Sequence, residues 1–218
     1  MQFLYHPQAN CQELVLEGEQ FKYLSKVKRV QKDQTINLRN LEDRSVYTYK
    51  ITQITKKQIT IRLQNSTTTN QYKKKLHIGW CVTDFKTVEK TLPFLNELGV
   101  RAITFIYCDK SQNNFKPNFD RMQKILINSC QQCGRDSLMG LYNAKNLQEF
   151  ITKHPDAYLC DFGGTAIKEQ NIETVIIGPE GGFSKCEQGL DLPKIGFNTL
   201  HILRSETAAT AIASKILV

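Results

Sequence analysis

The sequence predicts a small β-barrel module joined to a larger α/β domain with a parallel sheet. Three observations lead there. The first third carries apolar runs of period two. A polar stretch without any apolar period follows. The remainder alternates strand-like runs with stretches of helical spacing. A chain of 218 residues has room for two such units, each with its own core.

Taken in order, residues 20–27 predict a helical turn. Residues 35–39, 46–51 and 58–63 alternate and are rich in β-branched and aromatic side chains, so each predicts a strand. Asn40, Leu41, Glu42 and Asp43 mark one turn, and Lys56 and Lys57 another. Residues 65–75 are Ser, Thr, Asn, Gln and Lys with one Tyr, which cannot drive packing. The boundaries expected are a barrel over 1–68, a linker over 69–75 and an α/β domain over 76–218. In that domain 76–82 and 100–107 predict strands. Val88, Leu92, Leu95 and Leu98 recur at helical spacing between them, with Pro93 predicting a kink or a late start. Met122, Ile125, Leu126, Cys130 and Cys133 form one helical stripe. Residues 157–160 and 174–177 predict short buried strands, and 207–217 a final helix. On such a sheet, ligands sit beyond the carboxyl ends of the strands.

No run of apolar residues is long enough to span a bilayer, and the first residues lack the basic start and apolar run of a signal peptide. A cytoplasmic protein without a membrane partner is expected. The seven cysteines are irregularly spaced, and only Cys130 and Cys133 form a CxxC. Zinc needs a second pair or two histidines nearby, and a redox CxxC would open a helix rather than end one. Reduced cysteines and no metal are expected. Charge is unevenly placed. Residues 1–75 hold 14 Lys and Arg against 6 Asp and Glu, while residues 76–218 hold 15 of each, so the whole excess of +8 lies in the first third. That pattern fits a polyanion-binding module joined to one with another task, or a merely solvated lysine-rich surface.

Two C-terminal segments carry the chemistry. Residues 174–187 run from a β-branched strand through Gly178-Pro179-Glu180-Gly181-Gly182 to Ser184 and Glu187, whose spacing is a capping box. Glycine lets a ligand approach the backbone. A P-loop would need a lysine and hydroxyl after its glycines, and GxGxxG is absent, so this loop is not built for phosphate. It is either a ligand cradle or a tight strand–helix connection. The second segment, Leu203-Arg204-Ser205-Glu206-Thr207, precedes a small-residue helix that Ser205 or Thr207 would cap. Arg204 offers a fixed charge, or simply a surface pair with Glu206.

These segments, with Glu97-Leu98-Gly99-Val100 and Cys130-Gln131-Gln132-Cys133-Gly134-Arg135, stand in the order found in one family. The chain resembles the RsmE family of SPOUT-class RNA methyltransferases, which make 3-methyluridine in 16S ribosomal RNA. The resemblance implies a PUA-like RNA-binding barrel, a SPOUT domain with a trefoil knot, a homodimer, and the small ribosomal subunit or its RNA as partner. It implies S-adenosylmethionine as cofactor, held by Cys160, Asp161 and Phe162; by Ile177, Gly178, Pro179, Glu180, Gly181 and Gly182; and by Leu200, Ile202, Leu203, Thr207 and Ala208. Arg204 would favour the uridine N3 anion, and Glu206 would orient Arg204 or take the proton. Lys22, Lys26, Lys28, Arg29 and Arg135 would contact RNA. Arg135 equally suits a cation at a helix C-terminus. Gly181→Val is expected to abolish cofactor binding. The alternatives are a ribose 2′-O methyltransferase of the same class and a non-catalytic ribosomal-RNA-binding assembly factor.

Overall fold

The structure is a computed structural model that describes residues 2–69, 74–111, 116–167 and 172–218. The middle of the expected linker, residues 70–73, lies outside the described residues. The chain divides into two compact units, Met1–Gln71 with Cys130–Leu138, and Tyr72–Ser129 with Met139–Val218.

The first unit holds β1 (Leu4–Tyr5), β2 (Glu13–Leu16), α1 (Gly18–Lys22) running into a π-helical turn (Tyr23–Lys28), β3 (Thr35–Arg39), β4 (Ser45–Ile54) and β5 (Ile59–Thr68). They form a sheet in the order β1-β3-β4-β5-β2, antiparallel except for β1 beside β3. Register shifts after Thr48 and Ile51 bend the long β4–β5 ribbon. Its inner face, with Leu16, Leu38, Tyr49, Ile51, Ile59 and Ile61, is fully buried. The buried Tyr49 hydroxyl lies 2.5 Å from the Ala9 carbonyl and 2.6 Å from that of Cys11, tying the early chain to the sheet. The π-helical turn ends at Arg29 with φ 53°.

Two features differ from expectation. Residues 65–68, whose polar composition predicts no packing, belong to β5, paired with Ser45–Thr48. They lack an apolar period because this end of the ribbon is solvent-exposed and held by ladder hydrogen bonds, with Ser45 and Thr68 hydroxyls 3.0 Å apart. The segment Cys130–Leu138 groups with this unit. The Gln131 carbonyl accepts the Gln2 N–H at 2.7 Å, its side-chain oxygen accepts the Tyr5 N–H at 2.8 Å, and Thr69 donates to the Asp136 carboxylate.

The second unit comprises β6 (His77–Cys81), α2 (Phe85–Leu98), β7 (Ala102–Ile106), α3 (Phe119–Cys133), whose residues 130–133 group with the first unit, β8 (Gly140–Ala144), α4 (Leu147–Lys153), β9 (Tyr158–Ala166), β10 (Thr174–Ile177), α5 (Lys185–Gln188), β11 (Lys194–Gly196) and α6 (Ser205–Leu217). Six strands form one parallel sheet, ordered β11-β9-β10-β6-β7-β8. β6 and β7 are buried at every position, as expected of strands covered on both faces.

α2 starts at Phe85, capped by the Asp84 side chain, and ends at Gly99 with φ 94°. Pro93 sits inside it, so it does not delay the helix start. The Ser129 hydroxyl lies 3.4 Å from the Pro93 carbonyl. β8 and α4 add to the expected elements; α4 sets Leu147, Phe150 and Ile151 at helical spacing over barely two turns, and its N-cap Asn146 side chain accepts the Glu149 N–H. Cys81 and Cys108 form a disulfide, which corrects the expectation of reduced cysteines throughout. Their spacing of 27 carries no motif; parallel pairing of Cys81 with Ile106 brings Cys108 alongside.

Candidate functional site

β10 leads into the glycine segment, where the Gly182 N–H donates to the Pro179 carbonyl at 2.9 Å and Gly182 has φ 65°. The expected capping box is present. Ser184 accepts the Glu187 N–H at 3.2 Å, and the Glu187 carboxylate accepts the Ser184 N–H at 2.8 Å. The segment is therefore a turn between a buried strand and a one-turn helix, α5, capped at its Ser184 end.

β9 supplies the opposing wall. β11 pairs with Leu159 through Lys194 and then with Thr165 through Ile195. The intervening residues leave the β11 ladder. The strand is thus longer than the expected 157–160, and its departure carries Cys160, Asp161, Phe162 and Gly163 to a cavity. The two paired strands approach closely beside it: a Cβ on Gly164 would lie 2.5 Å from the Ile195 carbonyl carbon, and one on Gly196 2.9 Å from the Asp161 carbonyl oxygen. Only glycine permits that approach.

The cavity encloses about 750 Å³, within the range typical of small-molecule sites. Of the expected residues, Cys160, Asp161, Phe162, Ile177, Gly178, Pro179, Glu180, Gly182, Leu200, Ile202, Leu203, Arg204 and Ala208 line it. Gly181, Glu206 and Thr207 do not. The Gly181 carbonyl instead accepts a hydrogen bond from Lys110 Nζ at 3.0 Å. α6 begins two residues earlier than expected and Arg204 is its N-cap, so neither Ser205 nor Thr207 caps it. No ion pair joins Arg204 to Glu206 among the described residues. Arg204 is exposed at the lining and Glu206 half-buried.

The Ser205 side chain, expected as a cap, stands in the site instead. It lines the cavity, is 6% exposed, and its hydroxyl finds no partner. A buried, unpaired hydroxyl at the N-terminus of a 13-residue helix is a standing site for a polar ligand group. The motif carries the signal, because a hydroxyl at a helix start serves capping and ligand binding alike.

The lining chemistry is mixed. Ile177, Phe183, Leu203 and Ala208 offer apolar surface; Asp161 and Glu180 offer negative charge; Arg204 is its one Arg, with no Lys. Asp161 is braced by the Phe162 N–H at 2.9 Å and by Lys194 at 3.9 Å. Burial, with the charge of Asp161 adding to it, pushes the Cys160 thiol up to about 11, so it is a neutral wall rather than a nucleophile. Such a lining suits a ligand with an aromatic body and cationic groups, and poorly suits a polyphosphate. Those residues fit S-adenosylmethionine, with its adenine, sulfonium and ammonium. Phe162, Leu200 and Ile202 are 69%, 99% and 80% exposed, giving the rim an apolar edge.

Lys22, Lys26, Lys28 and Arg29 are all exposed along α1 and the π-helical turn, and none is ion-paired with a described residue. Arg135 donates through Nε to the Ser137 carbonyl at 2.9 Å, bracing the turn after α3.

Residues 70–217 match the model of an RNA methyltransferase domain, and residues 16–64 that of an RNA methyltransferase PUA domain. The ribosomal RNA small subunit methyltransferase E of Helicobacter pylori is 40% identical over 224 residues, covering 98% of both chains. The chain belongs to the ribosomal RNA small subunit methyltransferase E family. The Aquifex aeolicus member is 25% identical, covering 100% of this chain and 99% of its own. A Legionella pneumophila putative methyltransferase, solved with bound S-adenosylmethionine, superposes with a TM-score of 0.80 at 25% identity, over 98% of this chain and 95% of that one. A probable rRNA methyltransferase from Porphyromonas gingivalis shares the fold, with a TM-score of 0.84 at 19% identity over 98% and 95%. In this family member the barrel is the curled sheet of the first unit and the catalytic fold is the parallel sheet of the second. Among the described residues no His, Cys, Asp and Glu cluster is set to hold a metal. No described helix is long and apolar enough to cross a membrane.

Proposed function

We propose that this chain methylates N3 of a uridine in 16S ribosomal RNA, using S-adenosylmethionine held in the cavity between β9, the glycine turn and the start of α6. The observation that carries it is that cavity, in a chain 40% identical along its length to a small-subunit rRNA methyltransferase. S-adenosylmethionine supplies an electrophilic methyl group on a sulfonium.

The protein's part is alignment and electrostatics. Apolar residues Ile177, Leu203 and Ala208 and the open backbone at Gly178 and Gly182 hold the cofactor. Asp161 and Glu180 oppose its positive groups, and Ser205 bonds a polar one. Arg204 stabilises the anion that uridine must become. Glu206, in the first turn of α6 and off the cavity lining, orients Arg204 or takes the uridine N3 proton. The target base leaves its stack or is single-stranded when it reaches the cavity. Lys22, Lys26, Lys28 and Arg29, on the exposed face of the first unit, and Arg135 contact RNA phosphates.

We further propose a homodimer, supported by the apolar rim of Phe162, Leu200 and Ile202. A trefoil knot is proposed from the family membership. A barrel over 1–68 with a linker over 69–75 accords with the PUA match at 16–64. A cytoplasmic site of action accords with a ribosomal substrate.

The test is nucleoside mass spectrometry of 16S RNA from small subunits incubated with the protein and cofactor. The expected product is 3-methyluridine. A 2′-O-methylated nucleoside would redirect the reading to ribose methylation. RNA binding without methylation or cofactor affinity would leave only an assembly factor.

A further inference from the structure

The cavity accounts for one side of the glycine turn. The other side is held by a short turn after β7 that no cofactor motif includes. Residues 108–111 close on themselves: the Ser111 N–H donates to the Cys108 carbonyl at 2.9 Å, and the Ser111 hydroxyl accepts the Cys108 N–H at 3.0 Å. The disulfide to Cys81 anchors the start of this turn to β6. At its tip, Asp109 and Lys110 face the cofactor turn.

Four hydrogen bonds cross between them. Lys110 Nζ donates to the Gly181 carbonyl at 3.0 Å and to the Phe183 carbonyl at 3.3 Å. The Ser184 hydroxyl donates to the Asp109 carboxylate at 2.6 Å. The Asp109 N–H donates to the buried Glu187 carboxylate at 2.9 Å. A single ammonium thus gathers two carbonyls from the outer face of a segment whose neighbours Gly178, Pro179, Glu180, Gly182 and Phe183 line the cavity. Charged donors make the stronger hydrogen bonds, and three rotatable N–H groups let lysine satisfy two divergent acceptors. Beyond Lys110, the restraints are the Gly182 to Pro179 bond inside the turn and, at its far end, the capping box and a Gln188 side-chain bond to the Phe183 carbonyl at 3.4 Å. The three glycines leave the backbone between these ends many alternatives once Lys110 is removed.

We infer that Lys110, with Asp109 beside it, is a positioning residue for cofactor binding: it fastens the glycine turn from behind and so holds the cavity wall in its binding-ready shape. This inference rests on the cavity being the S-adenosylmethionine site. Pre-ordering a binding loop raises affinity by removing its ordering cost from the binding step. Lys110 is itself exposed and outside the cavity lining, so the effect passes through the turn.

The experiment compares full-length wild type, Lys110→Met, Lys110→Arg and Asp109→Ala. Isothermal titration with S-adenosylmethionine is combined with hydrogen exchange of the peptide covering 178–187, in the cofactor-free protein. Lys110→Met should bind about tenfold more weakly, a loss of roughly 1.4 kcal/mol, and its turn amides should exchange faster, with the melting temperature unchanged. Lys110→Arg should restore most of the affinity, and Asp109→Ala should speed exchange at 184–187. In turnover, KM for the cofactor should rise while kcat at saturation stays within twofold. Binding by Lys110→Met within twofold of wild type overturns the inference and leaves the assigned function standing. Weaker binding with unchanged turn exchange also overturns it, because Lys110 would then act on the ligand itself. Failure of the wild type to bind the cofactor overturns both.

Discussion

Arg204 and Ser205 are adjacent, yet they make opposite predictions. Arg204 is the exposed cation at the cavity. Arg204→Ala should keep cofactor affinity, measured by titration, while methylation falls by about 10²- to 10³-fold, the scale of losing one preorganised electrostatic donor. Ser205→Ala removes a buried hydroxyl that has no partner. It should raise the melting temperature of the cofactor-free protein slightly and weaken cofactor binding by about three- to tenfold, since the hydroxyl is satisfied only by a ligand. A residue outside the cavity lining contributes to the acid limit. Burial, with the positive charges of His154 and Arg101 adding to it, pushes His77 down to about 4. A base whose pKa is depressed by folding is neutral in the native state and protonated in the unfolded one. Its stabilising contribution is present above pH 6.5 and is lost as pH falls toward 4, at up to about 1.4 kcal/mol per pH unit. Denaturant titrations between pH 7 and 5 should show that slope, and His77→Leu should lose most of it. At this scale the motif residues were legible because their types are chemically restrictive. Ser205 was misassigned because capping and ligand binding draw on the same residue type at a helix start.

At the scale of elements, the site depends on where strands part. β9 leaves β11 between Leu159 and Thr165, and the close backbone approach at Gly164 marks where they pair again. Gly164→Ala places a Cβ against backbone atoms of Ile195 and Gly196, none of which can rotate away. It should destabilise the protein by about 2–4 kcal/mol and weaken cofactor binding with it, read from chemical denaturation and titration. Gly181 behaves differently. A Cβ there meets only the flexible Lys110 side chain at 3.5 Å, and Gly181 does not line the cavity. Gly181→Val, expected from sequence to abolish binding, should cost less than Gly178→Val, whose side chain would press on the Phe183 ring from within the lining. Buried strands and capped helices such as β6, β7, β10 and α2 were legible because their period and end signals are local. β1, of two residues, and β11, of three, were not, because pairing with β3 and β9 defines them. The attachment of residues 130–138 to the first unit was equally hidden: it depends on Gln131 and Asp136 meeting Tyr5 and Thr69.

At the scale of the whole molecule, the two jobs are separated by charge. The excess of positive charge lies in residues 1–75, while the half that builds the cavity is balanced. RNA affinity should therefore fall steeply with salt and cofactor affinity should not. Replacing Lys26, Lys28 and Arg29 together by Ala should reduce the slope of log K against log salt by up to about 2, at roughly 0.7 per phosphate on single-stranded RNA. Titrating cofactor across the same salt series supplies the control. This division was legible from composition alone, because counting charges needs no fold.

The cavity wall is drawn from residues 160–208 only, although the sheet beneath it begins at β6. During synthesis the barrel and the β6–β8 half of the sheet therefore emerge with nothing yet able to hold a methyl donor. A chain that stops short of α6 and its N-cap lacks Arg204, Ser205 and Ala208 of that wall, and it should therefore bind RNA through its first unit without methylating it.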